Sequence, residues 1–189
     1  DIVFYVRMRD GLSQIIINVE AQKDEPKGYE ILNRAIFYVS RLISSQKERD
    51  FENSSYDDIK RVYSIWVCMN MDESSMSHVH LTKEDLIGSY EWKGNLDLLN
   101  IIMLGLAKNL PEHDETYELH RLLGALLSQE LTIDEKLNII GNEYDIPIEE
   151  NFRKDVSVMC NLSQGIKEDG IAIGEAGLIL SLIHISEPT

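Results

Sequence analysis

The strongest local constraint on this chain is Asp10-Gly11, a pair of residues standing between two runs of alternating side chains. On one side Ile2, Phe4, Val6 and Met8 alternate with Asp1, Val3, Tyr5 and Arg7; on the other, Ile15, Ile17, Val19 and Ala21 alternate with Ile16, Asn18 and Glu20. Alternation with period two marks a strand with one apolar face. Asp-Gly is the pair favoured in a two-residue type I′ turn, because both central positions need positive φ. With the turn closed there, Arg9 pairs with Leu12 and cross-strand partners have residue numbers that sum to 21. Ile2 then faces Val19, Phe4 faces Ile17 and Val6 faces Ile15, so the two apolar faces coincide. The same register sets Asp1 opposite Glu20 on the other face. Directly opposed partners have Cβ atoms roughly 5 Å apart, where like charges are destabilising. A divalent cation with oxygen ligands would offset that repulsion. Alternatively, Asp1 is a frayed, solvated terminus and Glu20 a surface residue at a strand end. Spacing alone leaves both open.

After a polar loop from Lys23 to Gly28, apolar residues Leu32, Ala35, Ile36, Val39, Leu42 and Ile43 recur at helical spacing. They predict a helix over 29–46 with that stripe buried. Arg34, Tyr38 and Arg41 fall on another face. Arg41 reads as solvated, whereas Arg34 and Tyr38, nearer the loop that leaves Gln22, suit phosphate contacts. Residues 47–61 are charged, with Phe51 and Tyr56 as docking points. The nearly continuous apolar run over 61–69 (RVYSIWVCM) predicts a buried central strand. His78 to Leu81 reads as a further strand. His78 and His80 would share a face, but no third histidine or cysteine lies close, so this is a surface strand rather than a zinc site. Thr82 to Asp85 offers a cap-like start for one helical turn. Beyond Asn95 the spacing predicts helices over Leu96–Asn109, Glu115–Gln129, Ile133–Tyr144 and Ile148–Gly165, the third started by Thr132. Gly165, Gly170, Gly174 and Gly177 predict a weak helix, since each interior glycine costs about 1 kcal/mol relative to alanine.

With 189 residues, 43% of them hydrophobic, the chain can bury a real core, and no apolar run is long enough to span a membrane. It begins at Asp1 without a methionine and shows no signal-peptide pattern, which reads as an N-terminally truncated fragment of a cytoplasmic protein. Cys68 and Cys160 sit in apolar surroundings and read as reduced thiols. A net charge of −15 opposes nucleic-acid binding at first sight. Residues 1–67, however, carry 10 Lys+Arg against 11 Asp+Glu, while residues 68–189 carry 8 against 22. The acidity belongs to the second part, and the first retains the means for a local basic face. Leu180 to Thr189 (LSLIHISEPT) looks like the translation of a sequencing-library adaptor, so His184 is given no functional weight.

Several stretches together resemble a bacterial family. They are Ile16 to Gln22 (IINVEAQ), Gly28-Tyr29, Arg34 to Arg41 (RAIFYVSR), Ile43 to Gln46 (ISSQ) and Val62 to Trp66 (VYSIW). These are similar to the Rpn family of recombination-promoting nucleases, also labelled transposases, within the PD-(D/E)XK nuclease superfamily. The resemblance runs from Asp1 to about Gly177. It implies an α/β fold with a restriction-endonuclease-like core of hairpin, helix and strand over residues 1–92, truncated at its N-terminus. An all-helical region would follow over 93–177, with 178–189 a tail and adaptor remnant.

For function, the resemblance implies a metal-dependent DNA endonuclease associated with recombination or mobile elements. Asp1 and Glu20 take the places of the superfamily's acidic residues and Gln22 the place of its usual lysine. The implied metal ligands are Asp1, Glu20 and the Ala21 carbonyl, holding Mg²⁺ or another divalent cation such as Mn²⁺ or Ca²⁺. Arg34 and Tyr38 would contact phosphate. The implied partner is DNA, with no membrane association and with homo-oligomer formation through the helical region. The missing lysine and the acidic second part keep a different reading open: a catalytically degenerate nuclease-fold module that binds nucleic acid or protein without cleavage. A transposase with three dispersed carboxylates fits poorly, since both acidic residues lie in one hairpin.

Overall fold

The computed structural model describes residues 2–7, 14–24 and 26–157, with side chains from residue 16 onward. Asp1, the Asp10-Gly11 turn, Cys160, the glycine-punctuated stretch and residues 180–189 lie outside the described residues. The chain divides into two compact units between Arg121 and Leu122.

The first unit is α/β, built on a five-stranded mixed sheet. Its strands are β1 (Ile2–Arg7), β2 (Gln14–Gln22), β3 (Arg61–Met71), β4 (Ser75–His80) and β5 (Leu99–Ala107), in spatial order β1-β2-β3-β5-β4. The first pair has the register expected from the alternation, with Ile2 opposite Val19, Phe4 opposite Ile17 and Val6 opposite Ile15. From β2 the chain crosses over through helix α1 (Ile31–Ser44) into β3, which lies parallel to β2. β5 lies parallel to β3 on its other side, and β4 closes the sheet antiparallel to β5.

In parallel strands, aligned residues share a face. Asn18 aligns with Ser64, Glu20 with Trp66 and Gln22 with Cys68. This face is the one α1 covers, so its core joins Ile16, Val62, Trp66, Cys68 and Ile101 to Ala35 and Val39 of the helix. Burial of these apolar surfaces is the main stabilising term, at roughly 25 cal/mol per Å². The helix stripe differs from the expected one. Ile31, Ala35, Tyr38, Val39, Leu42 and Ile43 pack on the sheet, while Leu32 and Ile36 are exposed. Both sets obey helical spacing; the contact with Trp66 selects the one containing Tyr38, whose ring meets the indole edge-on at 6.2 Å.

The helix exit is fastened to the start of β3. Gln46, fully buried, accepts from the Lys60 N–H at 2.8 Å and donates to the Lys60 carbonyl at 3.1 Å, standing in for a backbone ladder. Asp50 adds an ion pair with Lys60 at 2.7 Å and one with Arg49 at 2.8 Å.

The expected helix over Leu96–Asn109 is instead strand β5, so the region after residue 92 is not all helical. Its run of Leu, Ile and Met is nearly unbroken, as a strand buried on both faces requires, and such a run carries no period to separate helix from strand. Gly105 fits the strand for a further reason. A Cβ there would meet the Ser75 Oγ of the paired strand at 2.6 Å. The helical turn expected at Thr82 to Asp85 is also absent. The residues that follow, Leu86 and Ile87, are 85% and 98% exposed, so no apolar face is buried to hold a short helix.

Helix α2 (Glu118–Leu127) begins in the first unit and ends in the second. In the second unit α3 (Ile133–Tyr144) has the expected limits. Its capping box pairs the Glu135 N–H with Thr132 Oγ1 at 3.3 Å and the Thr132 N–H with Glu135 Oε2 at 2.8 Å. Lys136, almost fully buried, donates to the carbonyls of Leu126 and Ser128, satisfying acceptors where α2 ends. Residues 150–157 are helical, and the remainder of the expected Ile148–Gly165 helix lies outside the described residues. Among the described residues, no helix is long and apolar enough to cross a membrane.

Candidate functional site

β2 is an interior strand, paired with β1 on one side and β3 on the other, yet Asn18 and Glu20 interrupt its apolar sequence on the face beneath α1. Both are buried, Asn18 to 1% and Glu20 to 8% exposure. A buried carboxylate needs hydrogen-bonding partners, because desolvation costs several kcal/mol otherwise. Asn18 Nδ2 donates to Glu20 Oε1 at 3.3 Å and lies 3.4 Å from Ser64 Oγ. Trp66 Nε1 donates in turn to Ser64 Oγ at 3.0 Å. Asn18 Oδ1 is buried with no hydrogen-bond partner among the described residues. Among these residues no cation pairs with Glu20.

One step further along β2, Gln22 is held from both ends of its amide. Its Nε2 donates to the Asp24 carbonyl at 2.8 Å, and its Oε1 accepts from Arg34 Nη1 at 3.4 Å. Arg34 Nη1 also donates to the Tyr29 hydroxyl at 2.8 Å. The guanidinium carbon stands 5.9, 5.3 and 5.4 Å from the ring centres of Tyr29, Tyr38 and Trp66. Burial acts to lower the Arg34 pKa, but the bond to Tyr29 and the interactions with Tyr29 and Tyr38 outweigh it and hold the pKa above its ordinary value. The result is a fixed cation in an aromatic cage.

Beside Gln22, at the carboxyl ends of β2, β3 and β5 and the first turn of α1, lies a small cavity of about 80 Å³ lined by Gln22, Asp24, Ile31, Cys68, Met71 and Met103. Ligands of parallel sheets bind at this end of the strands. The backbone is locally irregular here too. The pairing of β3 with β5 shifts between Cys68 and Met71, and Asn70 takes the left-handed conformation at φ 59°. Asn70 Nδ2 spans to the Lys23 carbonyl at 3.1 Å and Asp24 Oδ1 at 3.0 Å, fixing the loop that leaves β2.

Of the residues expected to act, the structure gathers Gln22, Arg34 and Tyr38 and buries Glu20 on the same face of β2 as Gln22. Asp1 lies outside the described residues. Ala21 is exposed and faces away from Glu20 in the strand alternation, aligned with Val67. Tyr38 packs against the core instead of standing on a separate solvated face. Asn18, Ser64, Trp66 and Tyr29 were not singled out from sequence. The available signal was one polar residue inside each of two apolar strand runs, Asn18 in IIINV and Ser64 in VYSIW. His78 and His80 lie on edge strand β4 with ring centres 4.7 Å apart, and His78 Nε2 meets Asn100 Oδ1 at 2.8 Å. Among the described residues, no three His, Cys, Asp or Glu side chains are grouped as a metal cluster. Comparison of the chain with protein-family models, curated proteins and solved structures finds no match.

Proposed function

We propose that the chain carries the core of a metal-dependent DNA endonuclease that hydrolyses phosphodiester bonds. The observation that carries this reading is Glu20, a carboxylate 8% exposed on an interior strand, with no cation beside it among the described residues. A buried carboxylate without an ion pair is expected of a functional group more than of a packing residue. An unpartnered amide oxygen on the neighbouring side chain, Asn18 Oδ1, adds hard-donor character that suits Mg²⁺, Mn²⁺ or Ca²⁺. Glu20 and the Ala21 carbonyl would hold the ion, with Asp1 as the further ligand that the resemblance implies. When bound, the ion supplies Lewis-acid polarisation of a phosphate oxygen and a lowered pKa for coordinated water.

The side chains supply orientation and charge. Gln22, fixed between Asp24 and Arg34, is ready to orient a water or phosphate oxygen by hydrogen bonding. It cannot provide the charge of a lysine, so Arg34 takes that part as the cation that would meet a phosphate. Glu20→Gln is expected to abolish Mg²⁺-dependent nicking of supercoiled plasmid without changing the thermal melt. Undiminished cleavage by that variant would remove the assignment.

One observation favours a second reading, a nuclease-fold module that binds nucleic acid or protein without cutting. The position of the lysine is occupied by a glutamine whose oxygen is already engaged by Arg34. Mn²⁺ titration separates the two readings, since a binding-only module shows no affinity that depends on Glu20.

A further inference from the structure

We propose that Asn18 is a direct oxygen ligand for the divalent cation, acting beside Glu20. The proposal rests on the nuclease reading and adds a residue to its site.

Asn18 occupies an interior strand where an apolar residue would be the simpler choice, and it is 1% exposed. An amide offers two acceptor sites and two donors. Its Nδ2 is used, to Glu20 and to Ser64, whereas its Oδ1 has no partner among the described residues. Leaving a buried acceptor unsatisfied costs about 1–3 kcal/mol. A bound cation would give that oxygen a partner.

The distances suit a shared cation. Asn18 Nδ2 lies 3.3 Å from Glu20 Oε1. A half-turn of the amide about χ2 exchanges Oδ1 and Nδ2, bringing two oxygens to about the same separation. Neighbouring ligands of an octahedral Mg²⁺ with bonds of about 2.1 Å stand about 3 Å apart. Such an approach of two oxygens is repulsive with nothing between them and favourable around a cation, so cation binding is what would select the turned amide, against the loss of the Nδ2 bonds to Glu20 and Ser64. Ser64 accommodates the turn. It now accepts from Trp66 Nε1, and its own hydroxyl hydrogen has no acceptor among the described residues, so it is free to donate to the amide oxygen.

Trp66 provides a spectroscopic readout. The chain has two tryptophans, and the other, Trp92, is 76% exposed. In a Trp92→Phe background, with tryptophan excited selectively over the eight tyrosines, Tb³⁺ bound at Glu20 and Asn18 is sensitised by Trp66, and Mg²⁺ or Mn²⁺ competes it away. Asn18→Leu is expected to weaken Tb³⁺ and Mn²⁺ binding by about tenfold or more. Asn18→Asp, which keeps an oxygen and loses the donor, is expected to bind at least as tightly as the parent and to gain more thermal stability on adding Mn²⁺. Circular dichroism melts establish that each variant is folded. Affinity lost in Glu20→Gln but unchanged in Asn18→Leu, or weakened in Asn18→Asp, overturns the Asn18 assignment and leaves the nuclease reading standing. Absence of Trp66-sensitised binding in the parent, or binding that survives Glu20→Gln, overturns both.

Discussion

Arg34 illustrates how a single side chain links the core to the site. Its guanidinium closes over Tyr38 and Trp66, both part of the packing beneath α1, while its Nη1 reaches Gln22 and Tyr29. Lysine has the charge but not the planar fork, so Arg34→Lys releases Gln22 and weakens the stacking. We expect this variant to reduce plasmid nicking about tenfold while the melting temperature moves by only a few degrees, since one cation–π contact is worth about 1 kcal/mol. Equal nicking by wild type and variant would show that Arg34 packs the helix and nothing more. At this scale the sequence was partly legible. Glu20 stood out because charge opposed charge across a predicted pair. Asn18 and Ser64 did not, because a polar residue on an alternating strand looks solvated until a helix is known to cover that face.

At the scale of elements, legibility followed whether a pattern had competitors. Strand pairing through Asp10-Gly11 had one register that brought the apolar faces together, and that register is found. Thr132 and Glu135 form the expected cap of α3. The stripe of α1 had two solutions differing by a small rotation, and β5 had no period at all. The rotation is open to measurement. Val39→Ala should cost about 2 kcal/mol in denaturant unfolding, and Ile36→Ala only about 0.5 kcal/mol. Comparable losses would place the stripe as the spacing alone suggested. Thr132→Ala should destabilise α3 by about 1 kcal/mol, read from hydrogen exchange in that helix. The clasp between α1 and β3 adds an acid-sensitive element. Burial acts to raise the Asp50 pKa, but hydrogen bonds and charge attraction from Lys60 and Arg49 prevail and hold it below the usual value of 3.8. A carboxylate depressed in the folded state contributes stability above its unfolded pKa and loses it as pH falls through the folded one. Unfolding free energy should therefore decline below about pH 4, and Asp50→Asn should flatten that limb. An unchanged acid limb in the variant would assign the loss to other carboxylates.

Across the whole molecule, charge sets the terms of any encounter with DNA. The chain carries −15 overall, and residues 68–189 account for nearly all of it. Attraction to a phosphate backbone then depends on the cations of the first 67 residues, and binding should weaken steeply with added salt. Affinity that is flat with salt would point to a partner other than nucleic acid.

The order of strands also governs how the chain is made. β5 lies between β3 and β4, although it follows both in sequence. A nascent chain must therefore hold the apolar edge of β3 open through the eighteen residues that separate β4 from β5. An open, apolar strand edge is a template for pairing with other chains. Synthesis that stops before Leu99 should thus yield aggregate in place of a smaller folded core, and a slow ribosome across 81–98 prolongs the same hazard.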